Sequence, residues 1–205
     1  SGSLPAVADS NLILQIDKNH MRRKMTSFNT ILHDNTFRFM FDVERDYLVE
    51  LVNPAFRFPL FVSPGDSIVM TFAEKPSPTM DLKGKGSLEN NFLQVFYTSF
   101  KDEFNDTISE KLALSNTIDA FEAKLFSQKK KLNDFFKADP NYSRFSENLK
   151  TFISNEISFN YWKQLFSYPI VNANSSQQIM KVTPIPDLML ADFAKVKYNS
   201  ENALI

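Results

Sequence analysis

The sequence predicts an α+β fold: an N-terminal antiparallel β-sandwich or open barrel followed by an α-helical region. Three observations carry that prediction. Short runs up to residue 86 set apolar side chains at period two, the spacing of one face of a strand. From residue 87 onward the apolar positions recur at the spacing of one face of a helix. Three of the four glycines, Gly65, Gly84 and Gly86, fall within 61–86, where the first pattern gives way to the second.

With 205 residues, 43% of them apolar, the chain has core material for one large domain or two small ones. The expected division is a disordered tag and leader remnant over 1–10, a sandwich over 11–86 and a helical region over 87–205. Ser1 and Gly2 read as a cloning remnant. The apolar end, Ala203-Leu204-Ile205, reads as a stop inside a longer polypeptide.

In chain order, residues 12–17 (LILQID) are expected as a first strand, although their apolar positions do not alternate cleanly. Residues 18–24 hold the basic cluster Lys18, His20, Arg22, Arg23 and Lys24, expected as a solvated loop or hairpin end. Residues 36–42 alternate strictly, with Phe37, Phe39 and Phe41 on one face and Arg38 and Met40 on the other. Residues 47–52 continue the strand pattern to a turn at Asn53-Pro54. Pro59 lacks an N–H, so the strand over 56–62 belongs at a sheet edge or at a bulge. Pro64-Gly65 is a turn dipeptide, expected to join two strands of a meander, the second of them over 67–72. A polar break with Pro76 and Pro78 precedes a last short strand over 80–83.

Ser87 is the expected N-cap of a first helix carrying Phe92, Val95, Phe96, Phe100 and Phe104. A second helix is expected over 108–138, ended by Asp139-Pro140 because the ring disfavours α geometry in the residue before it. A third is expected over 142–166, stopped at Tyr168-Pro169. A short helix over 187–195 follows the polar run 172–178 and the prolines Pro184 and Pro186.

The composition excludes several chemistries. The formal net charge of −1 gives no general attraction to nucleic acid or anionic lipid. The absence of cysteine removes disulfide, thiolate-metal and thiol-nucleophile chemistry from this chain. His20 and His33 stand apart in polar contexts and make no ligand pair, so no metal or cofactor is expected. No apolar run is long enough to span a bilayer. The 21 phenylalanines read as core.

Searching for a site yields no expected catalytic, cofactor-binding or metal-binding residue. The G-x-G at Gly84 to Gly86 precedes a helix and could face an anion, but it lacks the third glycine and the βαβ setting of a phosphate loop. Asp66 and Ser67 are expected to cap their turn. Asp102 and Glu103 point in different directions from one helix and make no acid/base couple. Trp162 lies among apolar helical residues and is expected in the core.

Taken as one block, residues 61–91 carry Pro64-Gly65-Asp66-Ser67, then Gly84 and Gly86, then Asn90 or Asn91 with Leu93. This arrangement resembles the N-terminal region of secreted TlpA-like thiol-disulfide oxidoreductases of the thioredoxin-fold family. Residues 36–42 and 47–52 resemble that family's strand pair, and 152–169 its helix ending in an aromatic-rich Tyr-Pro. The resemblance implies an envelope location, periplasmic or anchored to the outer membrane as a lipoprotein, and a C-terminal thioredoxin domain in the same parent chain. The C-x-x-C of that domain is absent here, so no active-site residue carries over. The expected function is a non-catalytic accessory or interaction module with a protein or peptide partner. The alternative is a free-standing envelope binding protein for a peptide or glycan, motivated by the aromatic surplus.

Overall fold

The computed structural model describes residues 2–3, 11–17, 25–31, 36–53, 56–72, 80–176 and 184–195. The basic cluster, His20 and His33 lie outside the described residues, as do 4–10 and most of the break after Phe72. The fold is α+β, with the strands in the first part and the helices in the second. Two compact units divide between Phe96 and Tyr97.

Among the described residues the first unit has eight strands, β1 (Gly2–Ser3), β2 (Asn11–Asp17), β3 (Met25–Ile31), β4 (Thr36–Phe37), β5 (Tyr47–Asn53), β6 (Phe56–Val62), β7 (Ser67–Phe72) and β8 (Met80–Lys85). They form two four-stranded sheets, in the orders β4-β1-β7-β8 and β3-β2-β5-β6. All pairs are antiparallel except the two-residue pairing of β1 with β7. Inward residues of both sheets meet in one core: Leu12, Leu14 and Ile16 of β2, Tyr47, Val49 and Leu51 of β5, and Met70, Met80 and Leu82 from the other sheet. That shared core between two open sheets is a sandwich, not a closed barrel.

Individual elements follow from their residues. Along β5 burial alternates at every position, as its period-two pattern requires. β6 is an edge strand, which accommodates Pro59 opposite Glu50 without a missing ladder bond. β3 was not expected: Met-Thr-Ser-Phe-Asn-Thr-Ile has no apolar alternation, yet it pairs along its whole length with β2. The strand expected over 36–42 shrinks to Thr36–Phe37. Its alternation survives in burial, with Phe37 buried, Phe39 and Phe41 half-buried and Arg38 and Met40 exposed. Alternation there reports which side faces the core, not a ladder.

The turn at Ser63–Asp66 also differs from expectation. It joins β6 to β7 across the two sheets and is not part of a meander. Gly65 has φ +78°, and Asp66 N–H donates to Ser63 C=O at 3.1 Å, the marks of a type II turn with Pro64 at its first central position.

Helix α1 (Ser87–Ser99) begins at the end of β8. The compact units divide within it and not at Gly86, because its first ten residues are tied to the strands. The Gly86 carbonyl accepts from Asn90 N–H at 3.4 Å, which makes Gly86 the cap and Ser87 the first helical residue.

The second unit contains α2 (Asp106–Leu114), α3 (Ile118–Ala138), a 3₁₀ turn (Tyr142–Arg144), α4 (Glu147–Ser176) and α5 (Asp187–Phe193). The single helix expected over 108–138 is broken, although its apolar stripe runs on. Ser115 Oγ and Asn116 Nδ2 donate back to the carbonyls of Lys111 and Leu112, and Thr117 Oγ1 caps Ala120 N–H. These three polar residues end one helix and start the next. The third helix runs on through Pro169 instead of stopping there. An interior proline costs about 3 kcal/mol. Against that, Tyr168 is buried in the core of Ala113, Phe121, Leu125, Tyr161, Trp162 and Leu165, and its hydroxyl donates to Asn116 C=O at 2.9 Å. Packing on both sides of the proline keeps the helix going. Among the described residues, no helix is long and apolar enough to cross a membrane.

Candidate functional site

The block that the sequence singled out folds into one corner of the first unit. Ser67 pairs with Lys85 and Ile68 with Gly84, so Pro64-Gly65-Asp66-Ser67 lies directly against Gly84-Lys85-Gly86. Gly84 has φ +93°, and a Cβ there would stand 2.1 Å from the Ser67 carbonyl oxygen. Only a residue without a side chain allows that approach. Asp66 closes the corner: its Oδ2 accepts from Ser63 N–H at 2.8 Å, and a Cβ on Gly86 would lie 2.6 Å from the same oxygen. The chain's own carboxylate thus occupies the space beside Gly86, where α1 begins. An anion site was conceivable at this helix start, and Asp66 already supplies the negative charge that the helix end favours.

Three amide side chains of α1 then reach the strands. Asn90 is fully buried, and its amide pairs with Phe61 as a neighbouring strand would. Phe61 N–H donates to Asn90 Oδ1 at 2.7 Å, and Asn90 Nδ2 donates to Phe61 C=O at 2.7 Å and to Gly86 C=O at 2.8 Å. Gln94, one turn on, repeats the pairing on Met80. It accepts from Met80 N–H at 2.7 Å and donates to Met80 C=O at 2.9 Å. Asn91 donates to Leu82 C=O at 3.1 Å. Phe61 lies on β6 and Met80 and Leu82 on β8, the edge strands of different sheets. The helix therefore closes two open edges at once, meeting main-chain groups that an uncovered edge leaves unpaired. Phe92, Leu93 and Phe96 are buried on the same helix.

The second unit has a polar stripe along α4, with Glu156, Asn160 and Gln164 spaced by four. Asn160 Nδ2 and Gln164 Nε2 both donate to the Glu103 carbonyl, at 3.0 and 2.8 Å, and Ser109 Oγ donates to Gln164 Oε1 at 2.8 Å. These buried groups satisfy one another and fix the segment before α2 against α4. Burial pushes the half-buried Glu156 carboxyl above its ordinary range, with Lys163 pulling the other way. Burial also raises the Tyr97 phenol, and the charge of Glu156 adds to the effect. Burial thus favours the neutral form of both groups. Glu103 and Asp106, the nearby acids, are paired with Lys131 at 3.0 Å and Lys163 at 2.6 Å.

A second polar group lies between α3 and α4. Tyr161 hydroxyl donates to Glu122 Oε1 at 2.6 Å, and Lys129 Nζ lies 4.8 Å from the centre of the Tyr161 ring. Burial raises the Tyr161 phenol and lowers the Lys129 ammonium.

Of the residues weighed from the sequence, Asp66, Ser67, Gly84 and Gly86 are brought together, and they build the corner. Asp102 and Glu103 do not converge on a common point: Asp102 is exposed and Glu103 is held by Lys131. Trp162 is in the core, as expected, with 5% of its surface exposed. No group of three or more His, Asp or Glu side chains suited to a metal occurs among the described residues. Sequence reasoning missed the amides. The readable signal was Asn90, Asn91 and Gln94 sharing a helix with Phe92, Leu93 and Phe96, polar groups where an apolar stripe alone would be expected. No protein-family model, curated protein or solved structure matches this chain.

Proposed function

We propose that this chain is a non-catalytic N-terminal interaction module of a cell-envelope thioredoxin-like protein, of the TlpA-like thiol-disulfide oxidoreductase type. In this reading it works in the periplasm or anchored to the outer membrane. Redox chemistry belongs to a cysteine-bearing domain of the parent chain, and the present residues present or dock a protein or peptide partner. One observation carries the reading. The block through which the chain resembles that family, from Phe61 through Gly86 to Asn90, is engaged in holding α1 to the edges of two sheets. Its polar atoms point to main-chain partners, so the likeness is one of architecture and not of a reaction centre.

The aromatic surplus does not favour a free-standing peptide or glycan receptor. Phe37, Phe61, Phe92, Phe96, Phe121 and Phe136 are core residues, and Phe126, 60% exposed, stands on α3 without a described aromatic stacking partner.

The parent polypeptide tests the proposal. Its reading frame is expected to contain a thioredoxin-like βαβ pattern with a cysteine pair. Deleting residues 11–205 is expected to leave turnover of a small disulfide within about twofold, while slowing turnover of a protein disulfide about tenfold or more. Equal losses on both substrates, or a parent without such a domain, would contradict it.

A further inference from the structure

Helix α3 carries three consecutive lysines, Lys129, Lys130 and Lys131, whose surroundings differ. Lys130 Nζ is paired with Asp134 at 2.6 Å, and Lys131 Nζ with Glu103 at 3.0 Å. Lys124, earlier on the same helix, donates to Asn116 Oδ1 at 2.8 Å. Lys129 is partly buried, and its ammonium has no hydrogen-bond acceptor or ion-pair partner among the described residues. It lies instead over the face of the Tyr161 ring, 4.8 Å from the centre. That ring is itself fixed: its hydroxyl donates to Glu122 Oε1 at 2.6 Å, and it stands edge-on to Trp162 at 4.9 Å and 78°. Asp192 of α5 acts on Lys129 only electrostatically, being paired with Lys195 at 2.7 Å. Burial lowers the pKa of the Lys129 ammonium below its ordinary value, against the opposite pull of Asp192. Lys101, Lys111 and Lys137 also lack an ion-pair partner among the described residues, but they are exposed and water solvates them.

We propose that Lys129 is an acylation site, the amine that accepts an acyl group from small acyl phosphates. A partly desolvated amine with no acceptor gives up its proton more readily than a paired or fully hydrated one, and the uncharged form is the nucleophile. An anionic donor suits this helix, whose five lysines outnumber its three carboxylates. The uncharged Nζ attacks the acyl carbon. A C–N bond forms, the C–O bond to phosphate breaks, phosphate leaves with the bonding pair, and the extra proton on nitrogen passes to water. The product amide is uncharged, so the cation–π contact with Tyr161 and the attraction of Asp192 are both lost. The inference rests on the helical unit alone and holds whether or not the parent carries a thioredoxin domain.

Acetylation of the full chain by acetyl phosphate at neutral pH tests this, with the initial rate at each lysine read by mass spectrometry. The adjacent Lys130 and Lys131 are the paired controls, and Lys137 is the exposed control without an ion pair. Lys129 is expected to react faster than all three by about threefold or more, and to lose that advantage in urea, where its burial is gone. Asp192→Asn, at an exposed position, removes the carboxylate that favours the ammonium and is expected to raise the Lys129 rate further. A folded-state rate at Lys129 less than about threefold that of any control would overturn the proposal. So would an advantage that persists in urea, since it would then come from the local sequence and not from the fold. An Asp192→Asn rate equal to or below that of the unaltered chain would overturn it too.

Discussion

Replacing Asn90 by alanine removes three hydrogen bonds from a fully buried position. The Gly86 carbonyl keeps its main-chain bond from Asn90 N–H. The bonds that Asn90 makes to the N–H and C=O of Phe61 are both lost. Each buried group left unmatched costs about 1–3 kcal/mol, so the expected loss is about 2–6 kcal/mol. Against a domain stability of about 5–15 kcal/mol, that is enough to leave the sandwich marginal. Gln94→Ala breaks the same kind of pairing on Met80, but there water can reach the partly buried groups. Two ordinary bonds then give a loss of about 1–3 kcal/mol, and Asn91→Ala, with one, about 0.5–1.5 kcal/mol. Asn90→Asp is the sharper variant. It keeps the acceptor for Phe61 N–H but sets a carboxylate oxygen against two carbonyl oxygens. It is expected to be at least as damaging as alanine at neutral pH and to recover as acid protonates it. Trp162 belongs to the other unit, so stability is best read from urea-dependent hydrogen exchange of the β5 amides. A loss below about 1 kcal/mol for Asn90→Ala, or an Asp variant as stable as Asn, would refute the reasoning.

Two further outcomes are expected. Gly65→Ala meets only the flexible end of Lys85, at 3.1 Å, and should cost the left-handed penalty of about 1–2 kcal/mol. Gly84→Ala drives a Cβ to 2.1 Å from the Ser67 main-chain oxygen, so its melting temperature should fall further; equal shifts would contradict the corner geometry. Glu156 has its folded-state pKa raised above the ordinary 4.5, chiefly by burial. Its contribution is therefore fully present below that value and is lost as pH rises through the folded pKa. Glu156→Gln should remove this decline, so that the variant gains on the unaltered protein between acid and neutral pH. Parallel stability curves would contradict that assignment.

Much of the sandwich was legible because its strands declare a face. β5 and β7 alternate, and Pro59 announced an edge position that the sheet order bears out. β3 was illegible, since Thr, Ser and Asn at its centre give no period and its place comes from pairing with β2. In the helical unit the apolar stripe was readable and the interruptions were not. Ser115, Asn116 and Thr117 break a helix by side-chain bonds to the main chain, which no apolar pattern records. Pro169 failed to stop α4 because long-range packing around Tyr168 outweighs a local preference. At the corner, the glycines were readable as turn residues, and the PGDS and GKG segments proved to be partners in space. The role of Asn90 was hidden, because an amide on a helix looks like surface until the edge it meets is known.

Hydrogen exchange of the Phe61 and Met80 amides in the unaltered chain tests the central claim most directly. Both belong to edge strands, where an uncovered N–H exchanges freely, and both donate to side chains of α1. Protection comparable to that of the ladder amides of β5 is the predicted result, with Phe61 slower than the less buried Met80. Exchange at the rate of a free sheet edge would contradict the claim that α1 closes the sandwich.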